Sequence, residues 1–484
     1  MEGTRRLPMN NCIVEHPPPG QDPGAGSPLP WILAGSFLLL ILLAIFAPRK
    51  NSSADSASSA NASNTPGAGA EFDGGDRRRA RVLKPGSVEP AQTAEEIVTQ
   101  KVVQFGRNRR ELAQRLAKRF KVPVSPDVER FFAALESGRW EEIDAAHKAL
   151  LEPGQGLNQP RSDELHHIWR PIQEAWGAAR EAHDWPAQTL FNYGNSVLTS
   201  LRPGMVYAGG TDPGCFIPTM LNETTDGDRH IVLTQNALAD GTYLDYLNTL
   251  YGDQMTTLTK DDSERAFKEY TDDAQKRLEH DQQFPNEPKQ IRPGENVRMV
   301  DGKLEVSGQV SVMAINEKLF QTLMQNNPGL SFAMEQSFPF KSMYANTSPL
   351  GPVMELGVQD PQNALTAERA AQSVDYWRAT AEQLLSDPAI ADGSDPRKAY
   401  SKLIAEQAEL FLARNYAAEA EQAFRIANEI CPSSPEAVCR YVNLLVGQNR
   451  IQEAIPVVEN AMRSDPANRQ FQNLMNELQR QAKR

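Results

Sequence analysis

The pattern of apolar and polar positions changes several times along this 484-residue chain. Residues 1–30 are mostly polar, residues 31–47 form one uninterrupted apolar run, and residues 48–91 are rich in Ser, Ala, Asn and Gly. From residue 92 onward, apolar residues recur with the spacing of helices or of strands. These changes predict a multidomain protein with a polar N-terminal tail, a membrane segment, a linker and a folded body.

The apolar run WILAGSFLLLILLAIFA at 31–47 contains no charged residue, and its length is at the short end of what crosses a bilayer. Trp31 at its start and Arg49-Lys50 after its end stand where interfacial anchors occur. The polar tail before it differs from the short basic segment that opens a signal peptide. We predict a single transmembrane helix, followed by a disordered linker (48–91) with too little apolar surface to fold.

Residues 92–184 have mostly helical periodicity. The runs around Phe131-Phe132 and Ala145-Ala146 flank Gly138-Arg-Trp140, which is typical of a helical hairpin. His166, His167 and His183 raise the alternative of a metal site. Adjacent histidines point to different faces of a helix, so we favour exposed or interfacial histidines and predict no metal.

Between residues 185 and 360 short apolar runs rich in Val, Ile and Tyr alternate with helical segments. This alternation predicts an α/β domain with a mixed sheet covered by helices. A hairpin is predicted around the Asp301-Gly302 turn. The predicted sheet strands are 205–208, 230–234, 330–335 and 352–356.

The stretch GGTDPGCF, residues 209–216, follows the first of these strands. In an open α/β sheet, ligands bind beyond the carboxyl ends of the strands. We therefore take Gly209, Gly210, Thr211 and Asp212, together with Asn236 after the second strand, as candidate ligand-binding residues.

A purely structural explanation of GGTDPGCF stays open beside that one. The glycines permit positive φ or a close backbone approach, Asp212 suits a helix cap, and Pro213 suits the first turn. The ligand hypothesis adds that a free amide of Gly214 or Cys215 could meet an anion. The spacing matches neither a dinucleotide fingerprint nor a P-loop, so no nucleotide or other cofactor is predicted.

A repeating pattern organises the C-terminal part. Pro432 and Pro466 close segments of the same kind, in which small alanines and large apolar residues take equivalent places. The pattern resembles the tetratricopeptide repeat over residues 401–484, with a capping helix from residue 469. Residues 361–400 are predicted to be a helical connector, onto which two repeats alone would have to pack.

The resemblance implies a groove lined by one face of each first helix of a repeat. The implied partner-binding residues are Lys402, Glu409, Leu412, Glu436, Asn443 and Val446. A protein partner is the expectation for such a surface. The alternative is that the repeats only pack onto the rest of the chain.

The order FNYGNSVLTSLRPG, strand, GGTDPGCF, helix, strand and QNALADGTYLDYL carries a second resemblance. It is similar to the soluble C-terminal part of a bacterial multi-spanning membrane family related to protein O-mannosyltransferases. There Asp212 and Phe216 would correspond to the second Asp and the Phe of a family motif, and Gly210 replaces its first Asp. The resemblance implies an extracytoplasmic body and a glycan or sugar-lipid ligand. Since the multi-helix membrane part is missing, this chain is not expected to be the transferase.

Charge and cysteine content narrow the function further. The chain has 62 acidic and 50 basic residues, a net charge of −12, which argues against nucleic-acid binding. Its four cysteines are too few for a disulfide scaffold and lack zinc-ligand spacing. No serine-hydrolase elbow or zinc-protease motif is present, so binding is favoured over catalysis.

The sequence thus predicts a single-pass membrane-anchored scaffold that binds a protein partner through its helical repeats. The alternative is an extracytoplasmic glycan or sugar-lipid binding protein, accessory to cell-surface polysaccharide or glycosylation machinery. Charge near the membrane weakly favours a cytoplasmic body, with one basic pair on either side, whereas the second resemblance favours the opposite side, which we follow.

Overall fold

The computed structural model describes residues 92–151, 160, 162–300 and 302–482. The predicted tail (1–30), transmembrane helix (31–47) and linker (48–91) lie outside the described residues. No helix within the described ranges combines the length and apolar character needed to cross a membrane.

The predicted helical region folds around one long helix. The helix begins at a capping box, in which Thr93 and Glu96 satisfy each other's backbone N–H, and ends at Lys121 in the left-handed conformation. Its apolar face packs against the fifth helix. The helices are α1 (Ala94–Phe120), α2 (Pro126–Ser137), α3 (Trp140–Lys148), α4 (Asp163–His166) and α5 (Trp169–Asp184).

The middle of the chain alternates helices and short strands, as the sequence predicts. The helices are α6 (Ala187–Ser200), α7 (Asp212–Glu223), α8 (Gly241–Tyr251), α9 (Lys260–Gln283) and α10 (Gln309–Asn326). The strands are β1 (Val206–Gly209), β2 (Ile231–Thr234), β3 (Asn296–Val300), β4 (Lys303–Ser307), β5 (Phe332–Met334), β6 (Ser348–Leu350) and β7 (Val353–Leu356).

The main sheet has five strands in the order β2-β1-β5-β7-β6. Strand β1 is parallel to β2 and β5, whereas β7 is antiparallel to β5 and β6. The predicted mixed sheet is therefore confirmed. Strands β3 and β4 form a separate antiparallel hairpin, with Val300 opposite Lys303.

The C-terminal part is wholly helical outside its turns. Helix α11 (Ala367–Ser386) precedes α12 (Asp395–Ala413), α13 (Ala417–Ile430), α14 (Pro435–Gly447), α15 (Ile451–Ser464) and α16 (Arg469–Ala482). Helices α13 and α15 have the same length, and each occupies the same place relative to the proline that follows it. Helix α11, which lies in the predicted connector 361–400, packs against α13. The connector therefore contacts the repeats, as the sequence analysis expected.

The turns of the two repeats have the same geometry. Asn415 (φ 65°) and Asn449 (φ 60°) occupy the left-handed region at equivalent places. The next residue donates its backbone N–H back to the first helix in each case, Tyr416 to Phe411 at 2.9 Å and Arg450 to Leu445 at 2.8 Å. The repeat is thus a repeat of backbone structure as well as of sequence.

The hydrophobic core runs through all three regions without a break. One cluster of buried side chains includes Phe105 on α1, Phe332 on β5, Trp377 on α11 and Leu478 on α16. Polar contacts join the repeats to the sheet as well, because Gln407 of α12 donates to the carbonyl oxygens of Gly351 at 2.9 Å and of Val353 at 3.0 Å. The repeats and the α/β region therefore share one interior.

Candidate functional site at the junction of sheet and repeats

The two glycines after β1 are needed because backbone atoms approach them closely. A Cβ on Gly209 would lie 2.3 Å from the carbonyl oxygen of Gly214, and one on Gly210 would lie 2.3 Å from the backbone nitrogen of Ser337. Both distances are too short for a carbon atom. Of the two uses that the sequence left open for these glycines, close approach is the one that the structure shows.

The N-cap of helix α7 is one residue earlier than Asp212, which the sequence suggested as the cap. The N-cap is Thr211, whose hydroxyl accepts the N–H of Gly214 at 3.1 Å, and Asp212 is the first helical residue. The N–H of Cys215 donates to the carbonyl of Thr211 at 2.8 Å. Both amides that the sequence offered to an external anion therefore have partners inside the chain. The Asp212 carboxylate is about half exposed and lies 3.3 Å from Arg180.

The carboxyl group of Glu335, just after β5, sits at the N-terminus of α7. The Thr211 hydroxyl donates to it, and the Tyr207 hydroxyl, which donates to Gly214 O at 2.8 Å, lies 3.4 Å from its second oxygen. A Cβ on Gly214 would lie only 1.1 Å from Glu335 Oε2. A side chain of the protein thus occupies the place where a bound anion would lie.

Asn236 and Gln235, after β2, tie together the loops that follow three strands. The Asn236 amide donates to Gly210 O at 3.2 Å and to the Ser337 hydroxyl at 2.7 Å, while Gln235 accepts the Ser337 N–H at 2.8 Å. The candidate residues Gly209, Gly210, Thr211, Asp212 and Asn236 therefore lie together at the carboxyl edge of the sheet. Most of their polar groups serve to hold that edge.

The six groove residues implied by the tetratricopeptide resemblance fall into three classes of exposure. Lys402 and Val446 are buried, Leu412 is exposed, and Glu409, Glu436 and Asn443 are intermediate. The ammonium of Lys402 lies 3.3 Å from Glu436 and links α12 to α14. The inner part of the groove is therefore enclosed, and only its outer part is accessible.

A segment of the chain itself covers the groove. The 3-10 helix Lys341–Asn346 lies against α12, where Lys341 is 3.4 Å from Glu409 and the carbonyl of Tyr344 accepts from Arg414 at 3.0 Å. The Tyr344 hydroxyl donates to the side chain of Gln336 at 3.0 Å. Glu406 of α12 completes the contact by accepting the backbone N–H of Gln336 at 3.0 Å.

The two candidate sites, predicted separately, meet at Glu335. Burial raises the pKa of Glu335, against the Thr211 hydrogen bond and the positive charge of Lys402. Burial also raises the pKa of Glu406 well above its usual value, against Lys402, and the neighbouring Glu335 adds to this increase. Two carboxyl groups in one enclosed place cannot both be charged cheaply, so this junction favours their protonated forms.

Several buried polar atoms at the junction have no hydrogen-bond partner within the described part of the chain. They are Glu406 Oε1, Gln336 Nε2, Arg440 Nη1 and Asn443 Oδ1. Two are donors and two are acceptors, a combination that suits a small polar molecule or ordered water. Although burial acts to lower the pKa of Arg440, Glu409 and Glu406 raise it, so the guanidinium stays charged.

Glu335, Glu406, Tyr344 and Arg440 were missed from the sequence. Glu406 carried a usable signal, because it is a charged residue within the apolar stretch LIAEQAELF of the first repeat helix. For Glu335 the signal was its position directly after a buried strand.

The histidines considered as metal ligands lie apart from the junction. His167 stacks on Phe120 with ring centroids 4.6 Å apart, and His183 stacks on Trp140 at 4.9 Å. Residues 92–151, 160, 162–300 and 302–482 contain no group of three or more His, Cys, Asp or Glu placed to hold a metal ion. Three of the four cysteines, Cys215, Cys431 and Cys439, are buried.

No family model matches the chain, and no curated protein or solved structure matches it. The tetratricopeptide and membrane-family resemblances therefore rest on the residues of this chain. The equal lengths of α13 and α15 and the equal turns at Asn415 and Asn449 show two similar helical units within this chain.

Proposed function

We propose that the chain is a single-pass membrane-anchored scaffold that binds a protein partner through the outer part of the repeat groove. Residues 31–47 serve as the anchor, residues 48–91 as the tether, and the body from residue 92 lies on the extracytoplasmic side. Support for the repeats comes from the matching positions and turn geometry of the helix pairs α12–α13 and α14–α15. Tethering raises the local concentration of whatever the repeats hold.

One observation carries this proposal: polar and apolar groups at the rim of the groove remain available. Leu412 is one of the few large apolar side chains exposed in the described residues. Glu409 on α12 and Asn443 on α14 are partly exposed. A partner segment would place an apolar side chain against Leu412 and polar groups against the exposed parts of Glu409 and Asn443.

The test uses the full chain in its own membrane, crosslinked and purified by an affinity tag. We expect one partner to be recovered with the wild-type chain and to be lost with Glu409→Lys combined with Asn443→Ala. The matched control is Glu429→Lys, a charge reversal at an exposed position of α13. Recovery of the same partner with the double variant would discard the groove.

Glycan or sugar-lipid binding at Thr211, Asp212 and Asn236 receives less support. The Thr211 hydroxyl and the Asn236 amide already bond within the chain, and Glu335 fills the helix N-terminus. A ligand there would have to displace a buried carboxyl group. Asp212 alone stays available, beside Arg180.

A further inference from the structure

A polar cleft lies at the other edge of the sheet, beside the start of β2. It has a volume of about 390 Å³ and is lined by α1, the end of α7, the residues just before β2, and α8 with the turn that follows it. Arg109 in its lining has a side chain only 2% exposed, and its guanidinium lies 2.8 Å from Glu174 and also pairs with Glu223. These two carboxylates hold the Arg109 guanidinium in a fixed position in the wall of the cleft.

Several polar side chains that line this cleft have no hydrogen-bond or ion-pair partner within the described part of the chain. Gln104 and Asn108 of α1 and Gln254 after α8 have side-chain amides without a hydrogen-bond partner among the residues that the structure describes. Arg115 of α1 is exposed and has no ion-pair partner there. Each amide offers two donors and one acceptor, so the wall can satisfy many hydroxyl groups at once.

Two positive side chains of the lining, Arg115 and Arg229, are exposed. The buried Arg109 is already paired with Glu174 and Glu223, so Glu111 is the one remaining carboxylate of the lining. An anion at this place would therefore meet two exposed guanidinium groups against one exposed carboxylate, on a chain whose net charge is −12.

Shape and apolar content restrict the ligand further. Drug-sized ligands bind in pockets of roughly 300–1,000 Å³ that are mostly apolar, whereas most residues that line this cleft are polar or charged, with Leu250 and Tyr251 as the exceptions. Side-chain amides for the hydroxyl groups of a ligand and arginine for its acidic group are both present.

We propose that this cleft binds a small polyhydroxylated anion, namely a sugar phosphate or a sugar acid. Arg115 binds the acidic group, Asn108 and Gln254 bind hydroxyls, and buried Arg109 fixes the position of the wall. The site shares no residue with the repeat groove. A test of this site is therefore independent of a test of the protein partner.

Isothermal titration calorimetry of the detergent-solubilised full chain tests the site with four probes: glucose 6-phosphate, glucuronate, glucose and inorganic phosphate. We expect binding of glucose 6-phosphate or glucuronate, with whichever binds tighter identifying the acidic group. Glucose and inorganic phosphate should bind at least about tenfold more weakly, because each lacks one half of the recognised chemistry.

The variants are Arg115→Gln and Asn108→Ala, with Arg107→Gln as the matched control. Arg107 is exposed on the same helix but does not line the cleft. Arg115→Gln should weaken binding of the anionic sugar about ten- to hundredfold, and Arg107→Gln should leave it unchanged. The proposal is overturned if neither anionic sugar binds, if inorganic phosphate binds as tightly as glucose 6-phosphate, or if Arg115→Gln has no effect.

Discussion

The Oε2 atom of Glu406 on α12 accepts the backbone N–H of Gln336 at 3.0 Å, just beyond the end of β5. This bond joins the first repeat helix to the central strand region of the sheet. Glu406 is buried beside Glu335, and burial raises the pKa of Glu406 well above its usual value. The repeats are therefore held to the body by a buried carboxyl group that accepts a backbone hydrogen bond.

Replacing Glu406 tests this relationship. Glu406→Gln keeps the shape and the acceptor oxygen, so we expect the free energy of unfolding to fall by less than about 1 kcal/mol. Glu406→Ala removes the acceptor and leaves the Gln336 N–H unsatisfied, which should cost about 2–3 kcal/mol. Denaturant unfolding in detergent solution at pH 7 measures both. If the two variants were equally destabilised, the hydrogen bond to the Gln336 N–H would not be what holds the repeats to the sheet.

His147 should make the fold sensitive to acid. Its ring stacks on Trp176 at 4.5 Å and on Trp169 at 5.5 Å, and neither ring nitrogen has a hydrogen-bond partner in the described chain. Burial lowers the pKa of His147 to about 4. Since the unfolded chain binds this proton near pH 6.5, the contribution of His147 is intact above that pH. About 3 kcal/mol is lost as the pH falls to about 4.

The variant His147→Phe should remove that part of the acid sensitivity while keeping the aromatic packing. The unfolding free energy, measured at pH 7 and at pH 4.5, would then fall less between the two values than in the wild type. His183→Phe changes an exposed ring on α5 and serves as the control. A wild-type slope retained in His147→Phe would contradict the prediction.

Glu181 should make the fold less stable as the pH rises, which is the opposite of the effect of His147. It is buried on α5, and burial raises its pKa to about 8, against Arg180 and aided by Asp212. A raised folded pKa favours the folded state at low pH, so this stability is complete below about pH 4.5 and is lost as the pH rises to about 8. The loss is on the order of a few kcal/mol.

We expect Glu181→Gln to flatten the stability curve between pH 5 and pH 8, as followed by the denaturation midpoint at each pH. Glu141→Gln, at an exposed position of α3, should leave the curve as it is. An unchanged curve for Glu181→Gln would show that the carboxylate is already charged in the folded protein.

The paired asparagines at the repeat turns give a test with an internal control. Asn415 and Asn449 are both exposed and both left-handed, so their replacement changes backbone strain and little else. Each Asn→Ala substitution should cost about 1 kcal/mol and each Asn→Gly close to nothing. Thermal unfolding of the four variants measures this. Unequal costs at the two sites would mean that the turns are not equivalent.

Local patterns in the sequence predicted much of the fold. The alternation of apolar runs with helical segments indicated the mixed sheet, and the spacing of Pro432 and Pro466 indicated the helix pairs. These features succeed because strand, turn and repeat signals are each contained in a short stretch of chain. The cap of α7 was placed at Asp212 instead of Thr211, since both residue types cap helices and the choice depends on neighbouring loops.

The junction could not be predicted in the same way. Glu335 and Glu406 are far apart in the chain, and no periodicity connects the end of a strand to the face of a distant helix. Nothing in the sequence specifies the register in which the repeats dock on the sheet. The covering of the groove by Lys341–Asn346 follows from that docking, so it could not be predicted from the sequence either.

The equal turns of the repeats imply a modular architecture. Since α13 and α15 end with nearly the same backbone angles, at Cys431 (φ −143°, ψ 88°) and Asp465 (φ −139°, ψ 81°), the chain leaves each unit in the same direction. Another unit of the same length inserted after α15 would therefore continue in the direction that the first two units follow. Gene duplication could therefore lengthen this end of the molecule stepwise, with the polar outer face of α16 always terminating the array.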